Sequence, residues 1–205
     1  MDCPHSLFVI SAPSGAGKTT LVANLLKQDS QLQLSISTTT RLPRGNEQNG
    51  VDYFFVNEEQ FLSMQQQNAF VESANVHGHF YGTSQKWLEN TLKTHDVLLE
   101  IDVQGAAQIK KTFPQSVLIF ILPPSLQELE KRLKNRATDS IQVIEQRLKN
   151  ALTEMQQVDC FDYVIMNKHL SHALKELESI VQAQRCRTFL QKQRHTSFFQ
   201  ALSFF

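Results

Sequence analysis

One stretch near the start of the chain, Ala12-Pro13-Ser14-Gly15-Ala16-Gly17-Lys18-Thr19, restricts the fold more than any other. It has the spacing GxxxxGK[ST], with alanine at the first glycine position. Gly15 and Gly17 let the backbone turn so that successive N–H groups point inward at phosphate oxygens. A helix that begins here adds the positive end of its dipole. Lys18 supplies a mobile point charge for the β- and γ-phosphates of a nucleotide, and the Thr19 hydroxyl can ligate Mg²⁺. A Gly-rich turn ahead of a helix is the bland alternative. The context decides for a phosphate-binding loop: Leu7-Phe8-Val9-Ile10 reads as a buried strand before it, and Leu21, Val22, Leu25 and Leu26 mark one side of a helix after it.

The rest of the chain repeats that alternation. Val97 to Asp102, Val117 to Leu122 (closed by Pro123-Pro124) and Tyr163 to Met166 read as further buried strands. Helical spacing recurs in Ile141, Ile144, Leu148, Leu152 and Met155, and again in Leu170, Leu174, Leu177 and Val181. Apolar strands alternating with amphipathic helices predict an α/β class, a P-loop NTPase fold whose central parallel sheet carries helices on both faces. The core is expected over 5–33, 93–122 and 158–190. The stretch 34–92 differs, with a strand expected over Leu34 to Ile36, and reads as an inserted lobe of short strands and helices. A lid is expected over about 123–157 and a tail over 191–205.

Lys+Arg and Asp+Glu number 20 each, which argues against a long polyanion site and hence against nucleic acid as partner. Cys3, Cys160 and Cys186 form no CxxC pair, so neither a disulfide framework nor a zinc site is expected, and a reducing cytoplasm fits. His77-Gly78-His79 lacks a third ligand for zinc. The start is short and acidic, without the pattern of a signal peptide or membrane span. Phe198, Phe199, Leu202 and Phe205 lie at helical spacing. They predict an end helix packed on its own core or on a second copy, a homo-oligomer, rather than on a membrane.

Beyond the first strand, Ser37-Thr38-Thr39-Thr40-Arg41-Leu42-Pro43-Arg44 places two arginines around a stiffening proline. Paired guanidinium groups suit a dianionic phosphate, and Tyr53 and Tyr81 can add hydroxyl donors. Alone, this stretch reads more readily as a solvated basic loop. Together with the phosphate loop, Asn49-Gly50-Val51-Asp52-Tyr53-Phe54-Phe55, Phe80-Tyr81-Gly82-Thr83 and Ile101-Asp102-Val103-Gln104-Gly105, however, it resembles the guanylate kinase family. The likeness continues through Phe120 to Ser125, Lys131-Arg132-Leu133 and Gln193-Arg194-His195, in order and over nearly the whole chain.

The resemblance implies a guanylate kinase-like domain over 5–184 that takes ATP and GMP as substrates, with Mg²⁺ as cofactor. Its ATP site falls on Ala12, Pro13, Ser14, Gly15, Ala16, Gly17, Lys18 and Thr19, with Asn167 near the adenine. The GMP phosphate falls to Arg41, Arg44, Tyr53 and Tyr81, and guanine to Ser37, Glu72, Thr83 and Asp102. The lid arginines fall on Arg132 and Arg136, with Arg147 following; with Lys18 these form the catalytic set. Glu100, Ala137 and Lys168-His169 depart from the family pattern of aspartate, glycine and acidic residues. Asp102 has two open duties, the guanine site or the surroundings of Mg²⁺, and Glu100 shares its face of the strand.

Guanine presents N1–H and its 2-amino group side by side, and one carboxylate such as Glu72 can accept both. Adenine offers a lone pair there, and sites built on such bonds reject the wrong base by about 10⁴ or more in favourable cases. Three alternatives are weighed against a GMP kinase. A kinase of similar build acting on ribose bisphosphate or AMP would use the arginines but waste Ser37, Glu72 and Thr83. A guanylate-kinase-like protein-binding module would lack an effective phosphate loop, which is intact here. A P-loop hydrolase or switch is the third, without an accompanying effector domain.

Overall fold

The computed structural model describes residues 4–76, 78–134 and 141–202. Strand β1 (Leu7–Ser11), helix α1 (Lys18–Gln28) and strand β2 (Leu32–Leu34) open the chain. The next segment holds β3 (Thr38–Thr39), β4 (Phe54–Phe55), α2 (Glu58–Gln66), β5 (Phe70–Val76), β6 (His79–Ser84) and α3 (Gln85–Thr91). It is followed by β7 (Asp96–Glu100), α4 (Val103–Thr112), β8 (Val117–Leu122), α5 (Leu126–Lys134), α6 (Ile141–Met155) and β9 (Tyr163–Met166). Helices α7 (Leu170–Arg185), α8 (Thr188–Arg194) and α9 (Thr196–Leu202) close it.

Five strands form a parallel sheet in the order β2-β7-β1-β8-β9. Their side chains alternate between two cores, as the two-residue period of a strand requires. Phe8, Ile10, Leu98, Val117, Ile119 and Ile121 face one side, where Leu21, Val22 and Leu25 of α1 meet Leu177 and Val181 of α7. Leu7, Val9, Val97, Leu99 and Leu118 face the other, against Leu88 and Leu92 and against Ala106 and Ile109 of α4. Both faces are therefore covered, which is why these strands read as unbroken apolar runs. A second sheet, β4-β3-β6-β5, forms the floor of the inserted lobe. Phe61 of α2 stacks between Phe70 and Phe80 there, with ring centroids at 4.6 and 5.4 Å.

Two details differ from the sequence reading. The strand expected over Leu34 to Ile36 lies instead at Leu32–Leu34, where it pairs with β7 at the edge of the parallel sheet. Leu88 and Leu92, counted with the lobe, pack beneath that sheet. In both places the local pattern fits either sheet, and the contact across the chain decides. Helix α9 forms, yet none of its described side chains is buried, and Phe198 and Leu202 lie exposed.

The end of the sheet opposite the phosphate loop is held by charge. Asp96 is 1% exposed and accepts hydrogen bonds from the Ser6 amide (2.7 Å), Arg185 Nε (2.6 Å) and Arg194 Nη2 (3.1 Å). Arg185 also reaches Asp29 at 2.7 Å. One buried carboxylate thus fastens β7 to the residue before β1, to α7 and to α8, and gives Arg194 of the Gln193-Arg194-His195 stretch a structural role. Removing one member of such a group strands a buried charge. Asp96→Ala is expected to lower the unfolding free energy by about 3–5 kcal/mol, read from urea denaturation followed by circular dichroism.

Candidate active site

Strand β1 ends at Ser11 and the chain turns over the carboxyl edge of the sheet, the crevice where open α/β sheets bind ligands. The turn needs glycine twice. Gly15 and Gly17 have φ of +91° and +94°. A Cβ on Gly17 would stand 2.5 Å from Asn167 Nδ2, and one on Gly15 within 3.2 Å of Leu129 and Leu133. The loop is thus packed from outside as well as turned from within. Asn167, buried at the end of β9, donates to Ala16 O at 2.8 Å.

Lys18 Nζ leaves the loop toward the end of β7, donating to Ile101 O at 3.3 Å and standing 4.0 Å from Glu100 Oε1. Burial lowers its pKa, and Glu100, Asp102 and Glu154 oppose that shift. Thr19 Oγ1 donates to Glu100 Oε1 at 2.9 Å. Two residues after Glu100, Asp102 caps α4 by accepting from the Gly105 amide at 2.9 Å. Glu100 stands beside the Thr19 hydroxyl, while Asp102 stands between the loop and the lobe.

Across the cavity, Glu72 on β5 is 4% exposed and accepts from Thr83 Oγ1 on β6 at 2.6 Å. Burial first, then the Asp102 charge, pushes its pKa up to about 7, against the hydrogen bonds from Thr83. Gly105 makes this placement sterically feasible, since a Cβ there would lie 2.6 Å from Glu72 Oε2. Ser37, Tyr53, Glu72, Tyr81, Glu100, Ile101, Asp102 and Glu154 line one cavity of about 330 Å³ together with Ala12–Gly15 and Gly17–Thr20. Phosphate loop and lobe therefore face one continuous space.

The arginines stand differently. Arg41 is buried, with Nη1 and Nη2 each 2.9 Å from a Glu47 oxygen and Nη1 2.7 Å from Leu42 O. Its guanidinium lies 5.2 Å from the Tyr53 ring centroid, and Glu47 and then Tyr81 raise its pKa. Arg44 is exposed, and its amide is held by Glu47 at 2.8 Å. Neither arginine lines the cavity wall, although Tyr53 and Tyr81 do. Arg132 on α5 is bound to Glu128 at 2.9 Å and to Ala16 O and Asn167 O at 3.4 Å each. Arg132 and Asn167 border a second hollow with Gly15, Gly17, Thr20 and Lys168 on the outer side of the loop. Arg147 lies on α6. Arg136, Ala137 and His77 fall outside the described residues.

Sequence reading alone missed three residues here. Glu47 stands three positions after Arg44, a local spacing that could have suggested an Arg partner. Gly105 carried its signal as part of a motif, without the reason for it. Glu154 had no local signal at all.

Three comparisons bear on this arrangement. The sequence model of the family described as guanylate kinase matches residues 5–184. Guanylate kinase of Nitrosomonas europaea is 52% identical over 204 residues, covering 99% of this chain and 100% of its own. That of Aromatoleum aromaticum is 50% identical over 200 residues, covering 97% and 98%. The crystal structure of guanylate kinase from Anaplasma phagocytophilum superposes with a TM-score of 0.77 at 32% identity, over 97% of each chain.

Proposed function

The chain belongs to the guanylate kinase family and transfers a phosphoryl group from ATP to GMP, and we propose that the cavity between Lys18 and Glu72 is where it does so. One observation carries this reading: the phosphate loop and Glu72, held from behind by Thr83, open into the same space. A donor phosphate on the loop and an acceptor phosphate below the lobe would there be neighbours, which in-line transfer requires.

In this reading Ala12 to Thr19 hold the triphosphate and Lys18 neutralises it. Glu72 accepts the paired N–H groups of guanine, with Ser37, Thr83 and Asp102 at its edge. Tyr53 and Tyr81 meet the GMP phosphate from the cavity wall, and Arg41 and Arg44 turn to it from their contacts with Glu47. A dianionic phosphate is a stronger acceptor than one carboxylate, so it can draw Arg41 away. Arg132, Arg136 and Arg147 bring further positive charge from the lid, and Asn167 borders the adenine. The lobe over 34–92 and the lid over 123–157 close separately on the two substrates, excluding water as a competing acceptor.

The donor set beside the loop fits Mg²⁺. Thr19 Oγ1 and Glu100 Oε1 are hard oxygens 2.9 Å apart, beside the cradle where a nucleotide would bring more. Among the described residues no group of three or more His, Cys, Asp or Glu gathers as a metal site. Mg²⁺ of this kind keeps waters and substrate phosphates as ligands, and supplies charge neutralisation. Thr19 would hold the ion directly and Glu100 through its waters. We place the reaction in the cytoplasm. No helix among the described residues is long and apolar enough to cross a membrane.

The test is an ADP-release assay offering GMP, AMP, CMP and UMP with Mg-ATP. GMP is expected to be the preferred acceptor, and a preference for AMP would overturn the base assignment while leaving the kinase. Lys18→Ala is expected to lower kcat by at least about 10²-fold with the circular dichroism spectrum unchanged. Near-normal turnover in that variant would remove the loop from catalysis.

A pH dependence follows from Glu72. Its pKa in the free protein is pushed up to about 7, and only the carboxylate accepts both guanine donors. Below that pH, GMP must displace a proton. The KM for GMP is therefore expected to be flat above pH 7 and to rise about tenfold per unit below it. Initial rates from pH 5.5 to 8.5 decide, and a KM that stays constant across that range contradicts the role.

A further inference from the structure

We infer that Gln108 is a positioning residue for base recognition: its side-chain carboxamide pairs with the backbone of Ser73 and so holds the neighbouring Glu72 carboxylate at one place against α4. Strand β5 is an edge of the second sheet, whose order is β4-β3-β6-β5. An edge strand presents N–H and C=O groups that no further strand pairs. At Ser73 a side chain of the core closes that gap. Gln108 Oε1 accepts from the Ser73 amide at 3.1 Å, and Gln108 Nε2 donates to Ser73 O at 2.9 Å. The two bonds are those that one residue of an adjoining antiparallel strand would make. They fit a single orientation of the carboxamide, since the reverse would set donor on donor and acceptor on acceptor.

The place of this clamp gives it a use. The pairing of β5 with β6 shifts register between Phe70 and Glu72. A shift of that kind disrupts the ladder locally and re-aims a side chain. Gln108 fastens the strand one residue beyond Glu72, where Gln65 of α2 also reaches Ser73 Oγ at 3.1 Å. Gly105 stands three positions before Gln108 on α4, and therefore on the same helix face. At Gly105 that face leaves the space that a Cβ would fill 2.6 Å from Glu72 Oε2. At Gln108 it pins the strand that carries the carboxylate into that space.

Thr83 holds the other carboxylate oxygen, Oε1, at 2.6 Å. Helix α4 is capped by Asp102, which lines the cavity, so the clamp refers Glu72 to the element that fixes Asp102. A carboxylate accepts paired donors from one base only from a fixed position, and a small displacement costs affinity for that base without touching the phosphate loop. This rests on the reading of Glu72 as the guanine acceptor and adds what keeps it in place.

Initial rates of Gln108→Met, Glu72→Gln and the double variant test it, with KM for GMP and for Mg-ATP measured separately. Methionine keeps the length and bulk of the side chain but cannot reproduce the pair of bonds. Gln108→Met is expected to raise KM for GMP about tenfold, the scale of two lost hydrogen bonds, with KM for Mg-ATP within about twofold and kcat within about threefold. In the Glu72→Gln background the same substitution is expected to change KM for GMP by less than about twofold, because a residue that acts through another falls silent once that residue is gone. Equal effects in both backgrounds, or an unchanged KM for GMP in Gln108→Met, overturn the inference and leave the role of Glu72 standing. A normal KM for GMP in Glu72→Gln would instead remove the base acceptor, and this inference with it. Should Gln108→Met fail to fold by circular dichroism, hydrogen exchange in the unmodified chain decides. The Ser73 amide is expected to be protected with and without GMP, and exchange as fast as that of an unpaired edge amide overturns the inference.

Discussion

One cation facing three carboxylates governs this molecule. Lys18 is set in a cavity with Glu100, Asp102 and Glu154, and these three oppose the loss of its proton that burial favours. Lys18 Nζ is tied to the end of β7 through Ile101 O and stands beside Glu100. A triphosphate entering such a site meets its cation already in place, together with fixed negative charge that it must neutralise, displace or outbid. Glu100 has a use in that state, beside the Thr19 hydroxyl. Asp102 is committed to the first turn of α4. Of the three, only Glu154 lies on an element of the lid.

The same logic extends to the arginines. Arg41 is folded onto Glu47, and Arg132 onto Glu128, Ala16 and Asn167, each in contacts that satisfy a guanidinium without a ligand. A buried or half-buried cation left without partners is costly. The protein thus holds these guanidinium groups in internal pairs, and in the role proposed for them a phosphate, which accepts bidentate bonds from the same fork, competes for them.

Glu72 shows the cost of specificity. Its carboxylate is buried on Thr83 beneath Gly105, near Asp102, and its pKa is pushed up to about 7. Because the folded pKa exceeds the unfolded one, the group weakens folding progressively as pH rises from the ordinary glutamate range to about 7. In the role proposed for Glu72, fold stability at neutral pH is thereby exchanged for a carboxylate placed to accept paired donors. The Asp96 cluster lies at the far end of the sheet, away from the cavity. There every carboxylate oxygen meets an arginine or an amide, and the group serves the fold.

The sequence by itself determined the loop, the α/β alternation, four of the five core strands and part of the polar lining of the cavity, Ser37, Tyr53, Glu72, Tyr81 and Asp102. Those features are written in local spacing: glycines that permit a left-handed backbone, apolar runs of strand length, and a lysine and threonine opening a helix. Tertiary structure alone decided that Leu32–Leu34 joins the parallel sheet, that Gly105 leaves room for Glu72, that Arg41 rests on Glu47 rather than in the cavity, and that Glu154 lines the same cavity as the loop. The physical reason is separation along the chain. Period and turn propensity act over a few residues, whereas the fields and clearances at Glu72 or Lys18 come from groups that only the folded sheet and lid bring within reach.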